Sequence, residues 1–315
     1  MKLQFDGQQA YQLDAIRSII DIFEGQPLAK GNFELSFAME KSSISYTEKG
    51  VGNQMVLSDE QILQNIQAIQ DDNDITPSSQ LEPCTYLTAD DKKGEIKLNF
   101  TVEMETGTGK TYTYLRTIYE LNKVYGFKKF VIVVPSVAIR EGVLKNLSIT
   151  HEHFQILYGN PPVSFKMYDS GRMTELRNFA TSDAIQILII NIDSFTKDNN
   201  IINQKGELGI KPIEYIQSTN PIVIIDEPQN METDVRKNGI ANLNPICTLR
   251  YSATHRNLYN LVYNLNPVQA YDLGLVKQID VDGITSDDNY NTPFVELKSI
   301  LYSSGIGLRI KDVEV

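Results

Sequence analysis

Met104-Glu105-Thr106-Gly107-Thr108-Gly109-Lys110-Thr111 has the residue order of a phosphate-binding loop. Before it, Lys97-Leu98-Asn99-Phe100-Thr101-Val102 alternates as a strand does. After it, Leu115, Ile118, Tyr119, Leu121 and Val124 recur at helical spacing. Strand, glycine loop, helix is the context that the motif needs. Glycine lets the backbone fold tightly enough for successive N–H groups to point at one anion. The start of the helix adds its partial positive charge at the same place. Thr106, Gly107, Thr108 and Gly109 then form a cradle. Lys110 places a point charge for the β- and γ-phosphates of a nucleotide, and Thr111 offers a hydroxyl to Mg2+. The plainer alternative is a glycine turn capping a helix. A matching second half of the site, downstream, argues against it.

That second half is Ile224-Ile225-Asp226-Glu227-Pro228-Gln229. An apolar run ends in two acidic residues, and the C-terminal ends of strands are where an open α/β sheet places ligands. Asp226 is positioned to hold Mg2+, usually through water, and Glu227 to orient and deprotonate an attacking water. Phosphoryl transfer asks a protein mainly for positioning and charge neutralisation. Lys110, Asp226, Glu227 and Gln229 are therefore the candidate catalytic residues. An acidic pair after a strand is by itself more often a solvated turn; the upstream loop changes its meaning. A third element, Tyr251-Ser252-Ala253-Thr254, also closes an apolar run. Its hydroxyls, Ser252 and Thr254, are candidates for coupling the Asp226–Gln229 segment to a moving neighbour; a strand-to-turn cap is the alternative.

Working outward, Lys129–Val134, Ile185–Ile190, Pro221–Ile225 and Ile246–Tyr251 read as buried strands, with helices expected at 137–147 and 171–180. Continuous apolar strands separated by helices indicate an α/β fold with a mainly parallel sheet covered on both faces. At the N-terminal end, Ala10, Leu13, Ile16, Ile19, Ile20 and Phe23 form a helical stripe, closed by Gly25 and Pro27. Phe33 to Ser45 reads as extended. Ser58 and Gln61 have the spacing of a capping box for a helix through Ile62, Ile66 and Ile69. Asp71 to Ser79 reads as a solvated, mobile loop, since it lacks the glycine and glutamate of a calcium loop. These features predict a domain over 1–274 with an insertion at about 29–95, then a β-rich segment over 275–315.

The chain has 315 residues, 41% of them hydrophobic, which suffices for a full core. No apolar run approaches the ~18 residues of a membrane span, and no signal peptide opens the chain. Cys84 and Cys247 lack metal-ligand spacing and read as packing residues of a cytoplasmic protein. The net charge of -11 excludes a protein that holds nucleic acid through overall charge, so any DNA contact must be local. Glu296-Leu297-Lys298, with Asp287 and Asp288 upstream, matches half of a nuclease motif and reads as chance. His151 and His153 share one face if extended, but lack a third metal ligand; a solvated edge is expected.

The order of GTGKT, DEPQ and SAT resembles the superfamily two helicase-like motor ATPases, which implies a RecA-like fold. Within that resemblance Gln12, beside Tyr11 on the first helix, takes the adenine-reading position, with Phe5 stacking near the base. Val134 to Val143 resembles the motif that faces the nucleic-acid backbone, which makes Ser136 and Arg140 candidate DNA contacts. More narrowly, the stretch from Met104 through Val143, the DEPQ box and Leu249-Arg250-Tyr251-Ser252-Ala253-Thr254-His255 resemble the Res subunit of type III restriction–modification enzymes. Met104, at a position where the general loop has glycine, is typical of that subgroup. The resemblance spans most of residues 1–281. It implies a motor that uses ATP and Mg2+, acts on double-stranded DNA, and works with a modification (methyltransferase) subunit. The second motor lobe with its arginine finger and the nuclease domain of such enzymes are not found, so the chain reads as their N-terminal portion and slow turnover is expected from it alone. A general superfamily two helicase and a non-catalytic, ATP-responsive docking module are the alternatives.

Overall fold

The computed structural model describes residues 5–28, 31–38, 45–172, 174–206 and 209–276. The chain divides after Val276. Beyond it, the expected β-rich segment, Asp287, Asp288 and Glu296-Leu297-Lys298 lie outside the described residues.

The framework is a seven-stranded sheet whose neighbouring strands are all parallel. Its members are β5 (Asn99–Met104), β6 (Lys129–Val134), β7 (Val163–Met167), β8 (Ile185–Asn191), β9 (Ile222–Asp226), β10 (Cys247–Ser252) and β11 (Leu261–Leu265). They lie in the order β11-β5-β10-β9-β6-β8-β7. Successive residues of a strand face opposite sides, and the two cores follow that rule. Ile132, Val134 and Ile224 pack under α1 (Ala10–Asp21), α3 (Lys110–Tyr125) and α4 (Val137–Tyr158). Val131, Val133 and Ile225 pack with α5 (Thr174–Thr181), α6 (Pro212–Gln217) and α7 (Asp234–Ala241). This is the RecA-like α/β fold expected from the sequence, with helices on both faces.

The described residues between 31 and 96 add no strand to this sheet. They form an antiparallel pair β1 (Gly31–Ala38) and β2 (Ser45–Gly52), the helix α2 (Asp59–Asp72), and a second pair β3 (Cys84–Leu87) and β4 (Lys93–Ile96). The capping box forms: Gln61 N–H donates to Ser58 Oγ at 3.3 Å and Ser58 N–H to Gln61 Oε1 at 3.0 Å. The 71–79 loop is fastened where the sequence indicated a free one. Ser78 N–H donates to Gln70 Oε1 at 2.7 Å, and Gln67 Nε2 donates to Ser78 O at 2.8 Å. Gln70 and Asn73 also donate to the outward carbonyls of the edge strand, Leu261 O at 2.8 Å and Val262 O at 2.6 Å. Unpaired edge carbonyls invite another chain, and α2 covers them here.

α4 is longer than expected. It runs to Tyr158 because Val143, Leu147, Thr150 and Phe154 keep one buried face at helical spacing. His151 and His153 are therefore helical, not on a strand edge. Two residues apart they diverge by about 200° around the axis. His153 Nε2 meets the Tyr112 hydroxyl at 2.8 Å, whereas His151 packs on the Phe165 ring. Among the described residues no cluster of His, Cys, Asp or Glu fits a metal ion, and no helix is long and apolar enough to cross a membrane. Cys84 and Cys247 are free and buried, as expected.

Candidate active site

The phosphate-loop sequence leaves β5 and enters α3 through backbone that only glycine adopts readily: Gly107 has φ +86° and Gly109 φ +90°. A Cβ on Gly109 would also stand 2.5 Å from Gln12 Nε2. Thr108 fastens the turn, its hydroxyl donating to Glu105 O at 2.7 Å. Thr106 N–H donates to Glu105 Oε1 at 2.7 Å. Lys110 opens α3 and donates from Nζ to Met104 O at 3.3 Å, folding its ammonium back over the loop.

Across from the loop, β9 delivers two carboxylates. Every residue of β9 is buried, so the strand end is rigidly placed. Asp226 is 6% exposed, and its Oδ2 accepts from the Tyr114 hydroxyl at 3.3 Å. Burial, and next the neighbouring Glu227 charge, push its carboxyl up to about 6. Glu227 has φ 57°, the left-handed region that disfavours a side chain with Cβ. Its N–H is held by Tyr251 O at 3.0 Å. That backbone turn points the carboxylate back toward the loop, and Oε1 lies 3.9 Å from Lys110 Nζ.

The third element closes the set. Glu227 Oε2 accepts from Gln229 Nε2 at 2.7 Å and lies 2.9 Å from Ser252 Oγ. Ser252 Oγ is also 2.9 Å from Gln229 Oε1 and accepts from Thr254 N–H at 3.1 Å. Ser252 has one proton to give, so it serves Glu227 and Gln229 alternately. Ser252 thus touches the Asp226–Gln229 segment at both Glu227 and Gln229. Thr254 takes part through its backbone while its side chain is exposed.

Gln12 lies on α1 against the loop, its Nε2 donating to Thr108 O at 3.0 Å. Tyr11 donates to the same carbonyl at 3.1 Å. Phe5 stacks on Tyr112 with ring centroids 6.0 Å apart. Arg116 holds this N-terminal segment to α3 through Nη1 to Gly7 O at 2.6 Å. Sequence reasoning missed Tyr114 and Arg116 as parts of the site. The available signal was polarity: each is a hydrogen-bonding residue on a helix face that otherwise reads as core.

Ser136 and Arg140 lie elsewhere on the same sheet edge. Ser136 caps α4, its Oγ accepting from Ile139 N–H at 3.3 Å. Arg140 is paired with Glu141 at 3.4 Å and lines a groove with Tyr168, Asn191, Ser194 and Asn200. That groove follows the C-terminal ends of β6, β7 and β8. The structure therefore gathers Gln12, the loop, Asp226, Glu227, Gln229 and Ser252 into one place and leaves Ser136 and Arg140 in another.

His255, just past Thr254, sets a pH limit on the fold. Its Nε2 is 3.2 Å from Val102 O, a carbonyl that can only accept, so Nε2 carries the proton. Burial pushes its pKa down to about 4. The unfolded chain takes up this proton first, so the contribution is full above about pH 6.5 and is lost as pH falls toward 4. The expected loss is on the order of 3 kcal/mol at pH 4. His255→Gln should show a shallower decline than the wild type in urea denaturation between pH 7 and pH 4.5. Parallel profiles would refute this.

The family model described as type III restriction enzyme, res subunit, matches residues 8–257. The EcoP15I Res subunit of Escherichia coli is 31% identical over 252 residues, 72% of this chain and 24% of that one. The StyLTI Res subunit of Salmonella typhimurium is 34% identical over 225 residues, 59% of this chain and 22% of that one. The chain thus spans about a quarter of the length of these relatives. Among solved structures, the type ISP restriction–modification enzyme LlaGI, as a nuclease-deletion mutant with a DNA substrate mimic, gives a TM-score of 0.39 at 14% identity. It aligns with 56% of this chain and 18% of that one. The UvsW helicase of bacteriophage T4 gives a TM-score of 0.34 at 14% identity over 55% of this chain and 56% of that one. Scores of that size add nothing to the fold described above. With the three sequence elements in one site, and a family match running unbroken through all of them, the chain belongs to the Res subunit family of type III restriction enzymes.

Proposed function

We propose that this domain binds ATP with Mg2+ and hydrolyses it, as the motor of a type III restriction enzyme that moves or switches on double-stranded DNA beside a modification subunit. The observation that carries the proposal is the closed set of contacts joining Lys110, Glu227, Gln229 and Ser252 across the mouth of the glycine loop. Glycine loops that merely cap helices have no need of an acid held 3.9 Å from the lysine by two further side chains.

The groups fit Mg2+. Thr111 and Asp226 offer a hydroxyl and a carboxylate, the hard oxygen donors that this ion takes. The buried Asp226 carboxylate has a phenol as its hydrogen-bond partner, which leaves its charge to be met by a cation. When bound, Mg2+ neutralises charge on the β- and γ-phosphates. Everything else falls to the chain. The loop amides and Lys110 hold the phosphates, and Gln12 and Phe5 are the groups proposed to meet the base. Glu227 takes a proton from the attacking water as its oxygen bonds to the γ-phosphorus and the bond to the β-phosphate oxygen breaks, giving ADP and phosphate. Gln229 and Ser252 keep that carboxylate aimed.

At about a hundred times its dissociation constant, Mg·ATP stabilises the fold by roughly 2.7 kcal/mol. Lys110→Ala should lose most of the matching rise in melting temperature at the same ligand concentration. An undiminished rise in that variant would place the nucleotide elsewhere and refute the proposal.

DNA contact is assigned to the groove at Ser136 and Arg140. With a net charge of -11, binding to duplex should be weak and steeply salt-dependent. Arg140→Ala should lower the slope of log affinity against log salt by about one, the signature of one lost phosphate contact. An unchanged slope would leave Arg140 as a partner of Glu141 alone.

A further inference from the structure

Tyr114 is a phenol in a place that calls for a hydrocarbon. It is fully buried, one helical turn past Thr111 on α3, with its ring tilted on Tyr251 at 5.5 Å between centroids. Phenylalanine would fill that space. A buried tyrosine hydroxyl needs a partner, and this one donates to Asp226 Oδ2 at 3.3 Å.

The direction of this bond is fixed, because an ionised carboxylate has no proton to give. Tyr114 spends its hydrogen on Asp226 Oδ2, which leaves Oδ1 to face a cation. One phenol therefore sets the orientation of the carboxylate on which the proposed Mg2+ site depends.

We propose that Tyr114 is a positioning residue that pre-orients Asp226 for the divalent cation, and so sets how much Mg2+ the nucleotide complex requires. The inference rests on the ATP and Mg2+ reading above and adds to it a residue that neither the glycine loop nor the acidic box includes. Hydrogen bonds that orient metal ligands typically matter 10- to 100-fold in metal affinity.

The experiment is calorimetric titration of the chain with ADP, first in EDTA and then across a Mg2+ series. Tyr114→Phe keeps the ring and removes the bond to Asp226. Its affinity for ADP in EDTA should equal that of the wild type, while the Mg2+ concentration giving half of the metal-dependent gain should rise about 10- to 100-fold. A packing role alone would lower the melting temperature and leave that midpoint in place. Tyr251→Phe is the control: it removes a neighbouring buried hydroxyl whose partner is Thr117, at 3.4 Å, rather than Asp226. It should leave the midpoint unmoved. Asp226→Asn combined with Tyr114→Phe should raise the midpoint little beyond Asp226→Asn alone, because groups acting through one another are not additive. A wild type whose ADP affinity does not depend on Mg2+ overturns both the site and the role of Tyr114. A Mg2+-dependent wild type matched by Tyr114→Phe overturns the role of Tyr114 alone.

Discussion

Replacing Glu227 by Gln is expected to reduce ATP turnover by about 10²–10⁴-fold, the span that a positioned general base contributes. Binding of Mg·ATP should survive, because the loop amides, Lys110 and Thr111 are untouched. The substitution keeps the shape and changes the chemistry. Oε2 now accepts two bonds, from Gln229 at 2.7 Å and Ser252 at 2.9 Å. A glutamine carbonyl can keep both only by turning its NH2 toward Lys110, now 3.9 Å from the acid. Two donors then face each other and the contact loses its attraction, but no large group moves. Phosphate release gives the rate, and the nucleotide-induced rise in melting temperature gives the binding. Turnover within about threefold of the wild type would remove Glu227 from the chemistry and with it the central step proposed here, since effects that small lie far below those of a catalytic base.

The legibility of this fold in its sequence depends on burial. β6, β8, β9 and β10 are buried at every position, and the first three stand out as mostly apolar runs. β7 and β11 are at the two edges of the sheet, partly exposed, and carry no such run. They went unread because half-buried strands of five residues look like loops in one dimension. α4 was underestimated for a related reason. Its exposed face carries Ile149, Ile156 and Leu157, which blur the polar side of the period. The glycine loop was legible because its backbone geometry demands particular residues within a few positions. The partners of Ser252 follow from strand order, with β10 between β5 and β9, and order is not written locally. Tyr114 was hidden by its neighbours, for a tyrosine in a buried stripe reads as core until the carboxylate from β9 is seen beside it. Gln12 was placed by resemblance; its contact with Thr108, 96 residues away, has no signature in spacing.

Breaking the pair of Glu232 with Arg250 should cost about 3–5 kcal/mol, the largest stability effect expected of any single change here. Arg250 is 2% exposed on β10, two residues before Ser252, and its guanidinium reaches Glu232 on the loop that follows the Asp226–Gln229 box. The same carboxylate receives Lys237 at 3.1 Å and Asn257 at 2.9 Å, while Arg250 lies over the Tyr259 ring at 5.0 Å. Glu232→Ala would leave two cations, one of them deeply buried, without their counter-charge. At roughly 2 °C per kcal/mol for a domain of this size, the melting temperature should fall by about 6–10 °C. The pair itself need not be a net gain, because desolvating two charges takes back much of their attraction. Arg250→Met with Glu232→Leu should therefore recover much of what Glu232→Ala alone loses, although Lys237 keeps a residual penalty. The comparison separates the two terms: a double variant as unstable as the single one would mean that the pair contributes net stability. Its position also gives it a functional consequence. Arg250 and Ser252 face the same side of β10, so the ion pair fixes the strand that presents Ser252 to Glu227 and Gln229. A double variant that regains its melting temperature but not its turnover would show that the charges are kept for aim rather than for stability.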